Sequence, residues 1–143
     1  MVDNLPEAGK YAMVGIDPEF PQKVSKGDII VAGKNFGCGS SREYAPLSIK
    51  VAGIQAVIAK SFGRIFFRNS VNIGLFPLIC DYSDKFSNND KVSINFEQGT
   101  VYNKKTKRSY KFKPLPEFLY NILKCGGLME FGRKQLQEIE RQK

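Results

Sequence analysis

The chain has 143 residues, which is enough for one domain with a hydrophobic core and too few for two domains of ordinary size. Apolar residues make up 42% of it, which argues against a disordered chain, and no apolar run approaches the roughly 18 residues of a membrane-spanning helix. The formal net charge is +8 and histidine is absent, so the chain contains no Ser-His or Cys-His catalytic couple.

The first 80 residues predict strands that alternate with helices. Residues 1–27 indicate an irregular lead-in, with a short helix near Glu7–Met13 followed by turns and without the segments of a signal peptide. The elements predicted after it are a strand within Asp28–Gly33, a helix over Tyr44–Gly53, a strand at Gln55–Ala59, a helix over Phe62–Asn72 capped by Ser61 and ended by Gly74, and a strand at Phe76–Cys80. This alternation predicts parallel strands joined by right-handed crossovers.

Beyond residue 81 the pattern changes to antiparallel strands and then to helices. Residues 92–96 alternate apolar and polar side chains, and two further short strands lie at 101–102 and 109–112. A helix over Glu117–Lys124 is broken at Gly126-Gly127 and resumes to the C-terminus. We therefore expect an α/β fold that mixes parallel and antiparallel strands in a single domain. Its parts are the lead-in at 1–27, a strand-and-helix region at 28–80, an antiparallel meander at 81–113 and C-terminal helices at 114–143.

The turn from Gly37 to Glu43 joins the first predicted strand to the helix after it. A helix N-terminus carries partial positive charge, glycines let the backbone approach a bound group, and Arg42 adds a planar fork of donors. The turn therefore suits a carboxylate or a phosphate. The competing interpretation is a capping box, in which Ser40 caps the helix and Glu43 reaches back. The pattern alone leaves both interpretations open.

Several other residues are candidates for chemistry near this turn. Arg64 and Arg68 lie four apart on one helix face, where they either serve an anion site or form a surface pair. Lys60 and Asn35 flank predicted strand ends close to the turn. We interpret Cys38 as a small packing residue, because no histidine is present to activate its thiol. The phenylalanines at 62, 66 and 67 are predicted to belong to the core.

Cysteine usage and the distribution of charge limit the surroundings and partners of the chain. Cys38, Cys80 and Cys125 are dispersed and odd in number, which fits a reducing cytoplasm better than a disulfide framework. Much of the positive charge lies in Lys104–Arg108 and in the C-terminal tail. We interpret it as a solvated surface, and we expect neither a nucleic acid nor a membrane as partner. Nucleic-acid binding remains an alternative that charge alone supports.

Two longer motifs carry a resemblance to a known family. Residues 33–43, Gly-Lys-Asn-Phe-Gly-Cys-Gly-Ser-Ser-Arg-Glu, are followed by residues 59–69, Ala-Lys-Ser-Phe-Gly-Arg-Ile-Phe-Phe-Arg-Asn, and by Asn-Ile-Gly-Leu at 72–75. In this order they resemble the small subunit of 3-isopropylmalate dehydratase and of homoaconitase, which is also the swivelling C-terminal domain of aconitase. The resemblance covers about residues 7–130 and implies a swivelling β/β/α domain.

The resemblance also implies that two chains share one active site. The small subunit of that family joins a large subunit that carries a four-iron–four-sulfur cluster, and the small subunit itself holds neither cofactor nor metal. On this chain the resemblance implies Ser40 as the base, with Ser41, Arg42 and Gly39 binding a carboxylate of a small hydroxy di- or tricarboxylic acid. Water is removed and added back in the other orientation, with the open iron as Lewis acid on the leaving hydroxyl.

The chain departs from the family pattern in two respects. Tyr44 stands where the family normally has histidine. The strand and the Gly-Asp-Asn-x-x-Thr-Asp-like segment that usually begin the family, and the substrate-specificity loop after them, are not found, so we expect the chain to start just past that loop. The main expectation is isomerisation of isopropylmalate for leucine biosynthesis. A homoaconitase or another alkyl-malate dehydratase of lysine biosynthesis stays open, as does a non-catalytic paralogue that binds a carboxylate or a protein.

Overall fold

A computed structural model describes residues 19–38 and 44–142. In chain order its helices are α1 (Phe20–Lys23), α2 (Tyr44–Val51), α3 (Arg64–Ile73), α4 (Glu117–Lys124) and α5 (Leu128–Arg141), with a 3₁₀ turn at Ser83–Lys85. Its strands are β1 (Ile29–Val31), β2 (Ala56–Ala59), β3 (Phe76–Ile79), β4 (Val92–Asn95), β5 (Thr100–Asn103) and β6 (Arg108–Lys111). The helix expected near Glu7–Met13 lies outside the described residues. The single turn of α1 occurs where only turns were expected.

The strands form two separate three-stranded sheets. Strands β1, β2 and β3 lie side by side in that order and pair in parallel, with α2 and α3 as the crossovers between them. Strands β4, β5 and β6 form an antiparallel meander. The predicted α/β class with parallel and antiparallel strands is thereby confirmed.

Strand β2 shows how the two sheets and the helices form layers. All four of its residues are buried, which requires cover on both faces of the parallel sheet. Ala56 and Ile58 share one hydrophobic cluster with Val101 of β5, whereas Val57 faces a second cluster that contains Phe66 of α3. The parallel sheet is therefore the middle layer, between the meander and the helices α2 and α3.

The C-terminal helices pack against α3 through a close backbone contact. Gly74 ends α3 in the left-handed conformation, with φ of 84°, as the sequence predicted. A Cβ atom on Gly127 would lie 2.5 Å from the carbonyl oxygen of Asn72, so the turn between α4 and α5 needs glycine there. Lys50 of α2 donates a 2.6 Å hydrogen bond to the carbonyl oxygen of Ile73, and burial lowers the pKa of this lysine.

The basic hairpin between β5 and β6 is held by one buried amide. The Asn103 side chain is fully buried; its oxygen accepts from the N–H groups of Lys105 and Thr106, and its nitrogen donates to Asp90 at 2.9 Å. The charged side chains at 104, 105, 107 and 108 are exposed around this anchor. Within the described residues, no helix combines the length and the apolar character needed to cross a membrane.

Candidate active site

Two loops at the carboxyl ends of β1 and β2 lie side by side. The 33–38 loop follows β1 and the 60–63 loop follows β2. Lys60 N–H donates to the carbonyl of Gly33 at 3.0 Å, Phe36 N–H donates to that of Ser61 at 3.0 Å, and Gly63 N–H donates to that of Phe36 at 2.8 Å. Since Phe36 and Phe62 form a parallel bridge, strand pairing continues beyond the sheet almost to the start of α3.

The 33–38 loop has a tight, partly left-handed backbone that a side chain from the neighbouring loop supports. Asn35 has a φ of 60° and Gly37 a φ of 80°. The backbone N–H of Asn35 donates to Ser61 Oγ at 2.7 Å, and Ser61 Oγ lies 3.4 Å from Asn35 Oδ1, to which it donates. The N–H of Cys38 then donates to the carbonyl of Asn35 at 3.1 Å. The turn is thus stabilised by a hydrogen bond within the 33–38 loop and by the hydrogen bonds of Ser61 in the 60–63 loop.

These contacts contradict the predicted role of Ser61 as the cap of the second helix. Helix α3 begins after Gly63, which is its N-cap and makes no side-chain capping hydrogen bond. The hydroxyl of Ser61 lies two residues earlier and is directed across to Asn35 instead. The prediction was wrong because a serine before a helix can serve either its own helix or a neighbouring loop.

A cluster of aromatic side chains supports both loops from below. Phe66 is buried, with its ring edge-on to that of Phe36 at a centroid distance of 5.2 Å and stacked on that of Phe62 at 6.1 Å. A Cβ atom on Gly37 would overlap the Phe66 ring, and one on Gly63 would lie 3.0 Å from the backbone nitrogen of Cys38. Gly37 is required by its close approach to Phe66, and a side chain at Gly63 would press against the backbone of the 33–38 loop. The predicted core position of the phenylalanines is confirmed for Phe66.

Cys38 is the last described residue before the segment 39–43. Its thiol is exposed, so the interpretation of Cys38 as a packing residue was wrong. The backbone of Cys38 makes the close contact with Gly63, and this leaves the side chain free of the core. Gly39, Ser40, Ser41, Arg42 and the capping partner Glu43 lie outside the described residues, and their roles stay predictions.

The two candidate arginines of α3 differ in their distance from the loops. Arg64 is the first residue of α3 and directly follows Gly63, which touches Cys38. Arg68 lies one helical turn farther along. Both side chains are exposed, and neither forms an ion pair with a residue in 19–38 or 44–142. Position therefore favours Arg64 over Arg68 as a cation near the turn.

Lys60 forms an ion pair, and the three cysteines are free thiols at separate places in the fold. Lys60 Nζ lies 3.6 Å from Asp84 Oδ1, in the 3₁₀ turn after β3. All three thiols are free, and burial raises the pKa of the Cys80 thiol. Across the described part of the chain no three His, Cys, Asp or Glu side chains are grouped so that they could hold a metal ion.

The arrangement matches a known family. The profile described as Aconitase C-terminal domain matches residues 3–83, a range that contains both loops. The chain belongs to this family. It is 52% identical over 139 residues to 3-isopropylmalate dehydratase small subunit 1 of Archaeoglobus fulgidus, with 96% of this chain and 86% of the relative covered. It is equally 52% identical, over 136 residues, to the isopropylmalate/citramalate isomerase small subunit of Methanocaldococcus jannaschii, with 94% and 80% covered.

A solved structure supports the same membership in the aconitase C-terminal domain family. The crystal structure of 3-isopropylmalate dehydratase from Methanocaldococcus jannaschii superposes with a TM-score of 0.93 at 40% identity, covering 99% of this chain and 84% of that one. The resemblance that the two motifs predicted is therefore confirmed. The contact between Asn35 and Ser61 was not predicted, although both residues lie next to predicted elements. The signal for it was their position directly after two strands that were predicted to be parallel neighbours.

Proposed function

We propose that this chain is the small subunit of a 3-isopropylmalate dehydratase, a hydro-lyase that acts in leucine biosynthesis only together with a large subunit. The observation that carries the proposal is the 52% identity over 96% of the chain to a relative of that name. The match extends through both paired loops, which are the part of the fold where chemistry is expected. In parallel sheets, ligands bind beyond the carboxyl ends of the strands.

We propose that the segment after Cys38 supplies the base and the carboxylate site. Ser40 takes the proton, while Arg42, Ser41 and Gly39 bind a carboxylate of the hydroxy acid. Loss of a proton next to a carboxylate adds negative charge to an anionic substrate, and a planar guanidinium is suited to stabilise it. Arg64 is the second candidate cation, since it follows the 60–63 loop directly.

The two helix starts support such a role for a serine. A hydroxyl is a weak base unless its deprotonated form is stabilised. Helices α2 and α3 both start after the loops at the carboxyl ends of β1 and β2, so both positive dipole ends lie at the same side of the sheet. Ser40 lies four residues before the first residue of α2, on the chain between the 33–38 loop and this helix. Ser40 precedes α2 in the sequence, and the positive end of this helix supports the proposal that Ser40 is the base.

We propose that a four-iron–four-sulfur cluster belongs to the large subunit and not to this chain. The described cysteines are too dispersed to hold it: Cys80 is buried in the core, and Cys125 lies after α4. Departure of the substrate hydroxyl then depends on the partner, whereas this chain binds carboxylate and moves the proton. Free thiols also support the proposal that the protein works in the cytoplasm.

A second substrate is favoured by one relative. The Methanocaldococcus jannaschii small subunit at 52% identity is named for both isopropylmalate and citramalate. We propose that the assembled enzyme accepts citramalate (2-methylmalate) as well as 3-isopropylmalate, because the two substrates share the malate carboxylates and differ in the size and position of one alkyl group. An assembled enzyme that turns over citramalate but not 3-isopropylmalate would have citramalate as its substrate.

The decisive experiment is co-expression of this chain with its large subunit under anaerobic conditions. Dehydration of 3-isopropylmalate and 2-methylmalate is followed by the ultraviolet absorbance of the unsaturated intermediate. We expect Ser40→Ala to lower turnover by about 10²-fold or more while assembly is unchanged. Ser93→Ala, at an exposed position on β4, is the matched control and is expected to be fully active. An assembled pair that dehydrates neither substrate contradicts the proposed function, and an active Ser40→Ala variant returns Ser40 to a capping role.

A further inference from the structure

We infer that Ser61 and Asn35 are positioning residues of this active site. Their hydrogen bonds fix the backbone at the end of the 33–38 loop, directly before residues 39–43. The inference rests on the proposed function, because it concerns the same reaction. Neither side chain is assigned to bind substrate. Their role is to hold the turn that ends at Cys38.

The Ser61 hydroxyl acts as acceptor and donor toward one residue. It accepts the backbone N–H of Asn35 at 2.7 Å and donates to Asn35 Oδ1 at 3.4 Å. The two residues are 26 positions apart in the chain and meet only because β1 and β2 are neighbours. Among the described residues, the other hydrogen bonds between the 33–38 and 60–63 loops join backbone groups, and the two bonds of Ser61 to Asn35 are those that involve a side chain.

The backbone of Asn35 connects the Ser61 hydrogen bonds to Cys38. Its φ of 60° lies in the left-handed region, which residues with a Cβ atom disfavour and asparagine tolerates best. In this conformation the Asn35 carbonyl accepts the N–H of Cys38 at 3.1 Å, which closes the turn. A shift of the Asn35 backbone therefore moves Cys38, the last described residue before the proposed base and arginine.

The exposure of Asn35 and Ser61 indicates that they position the turn and do not pack the core. Asn35 is exposed and Ser61 is only partly buried, so loss of the hydroxyl opens no cavity in the core. The backbone bonds between Phe36 and the 60–63 loop involve no part of the Ser61 side chain and are expected to persist without it. Removal of the hydroxyl should therefore change the turn while fold and stability stay nearly constant.

The first test measures amide hydrogen exchange in the full chain and requires no turnover. In Ser61→Ala we expect the Asn35 amide to exchange about tenfold faster or more, because it has lost its acceptor, and the Cys38 amide to follow. The Phe36 and Gly63 amides, which donate to backbone carbonyls, are internal controls and should stay protected. Ser61→Thr keeps a hydroxyl and should restore protection at Asn35. Unchanged exchange at Asn35 in Ser61→Ala overturns the inference.

The second test uses the enzyme assembled with its large subunit. Misplacement of a catalytic segment by about 1 Å costs roughly a hundredfold in rate, so we expect Ser61→Ala to lower kcat by between tenfold and a hundredfold, with a smaller change in KM and unchanged assembly. Ser61→Thr should recover most of kcat. Asn35→Gly, which keeps the left-handed backbone but loses the side-chain acceptor, should show a smaller loss than Ser61→Ala. The matched control is Asn89→Gly, at another asparagine of positive φ far along the chain.

The outcomes distinguish the two proposals. Wild-type kcat and KM in Ser61→Ala, with exchange altered, overturn the positioning role while the proposed function stands. A wild-type assembly that turns over neither malate overturns the proposed function and the catalytic part of this inference with it. The exchange measurement then still decides whether Ser61 sets the turn.

Discussion

The loops of the two sheets are held in place by different kinds of contact. The turns of the meander are held mainly by local contacts: Asn103 Oδ1 accepts N–H groups two and three residues onward, and Asn95 Oδ1 accepts the N–H of Gln98. One longer contact joins the Asn103 amide to Asp90. The loops after β1 and β2 are held by each other, through Ser61, the Phe36–Phe62 bridge and the ring of Phe66. A turn that satisfies itself tolerates change nearby, whereas the paired loops depend on residues far apart in the chain. The backbone geometry at the carboxyl ends of the parallel strands therefore depends on contacts between distant residues, and that of the meander turns depends mainly on neighbouring ones.

The largest expected difference between the two regions lies in their burial. Leu78 of β3 is completely buried in the middle layer, while Ile94 of β4 is only partly buried beside the same cluster. We expect Leu78→Ala to lower the free energy of unfolding by about 4 kcal/mol and Ile94→Ala by about 1 kcal/mol. Urea denaturation of the two variants measures both values. Equal losses would mean that the meander is as essential to the core as the parallel sheet.

A pair of glycines compares the two kinds of connection directly. Gly37, in the 33–38 loop, and Gly99, before β5, have φ values of 80° and 68°. A Cβ atom on Gly37 would overlap Phe66, whereas on Gly99 the nearest atom would be the Phe112 carbonyl oxygen at 3.7 Å. We expect Gly37→Ala to cost about 3 kcal/mol, from backbone strain and overpacking, and Gly99→Ala about 1 kcal/mol, from strain alone.

Activity should separate these glycine variants further. Gly99→Ala assembled with the large subunit is expected to keep wild-type turnover, since its turn belongs to the meander. Gly37→Ala should lose turnover even at temperatures where its circular dichroism spectrum is native. If Gly37→Ala is folded and fully active, the close contact with Phe66 does not position the site.

The smallest expected effect concerns the pH dependence of the meander. The Ser87 N–H and the Asn103 amide, which both donate to Asp90, lower the pKa of that carboxyl. A depressed folded-state pKa stabilises the protein above the unfolded value of about 3.9, and this contribution disappears as the pH falls through the folded value. Asp90→Asn should therefore be less stable than wild type near neutral pH, and the difference should shrink in acid. Urea midpoints between pH 2 and 7 that fall in parallel for both proteins would contradict this linkage.

Much of the fold could be predicted because burial patterns and glycines are local signals. The apolar run at 56–59 and the glycines at 74, 126 and 127 predicted their elements correctly, and the change of pattern after residue 81 separated the two sheets. The role of Ser61 could not be predicted, because its partner Asn35 is set by which strands are neighbours. The exposure of Cys38 was missed for a related reason: its backbone, not its thiol, fills the space beside Gly63. The roles of Ser40 and Arg42 came from family resemblance and stay predictions.

The pairing pattern of the two sheets also has a consequence for the order in which the molecule folds. Ile29 of β1 pairs with Ala56, 27 residues along the chain, whereas Asn95 of β4 pairs with Thr100, only five residues away. Closing long loops costs more entropy and parallel pairing needs a crossover, so non-local sheets form more slowly than hairpins. We expect the meander to form early and the β1–β2 pairing late. The two loops then meet only near the end of folding.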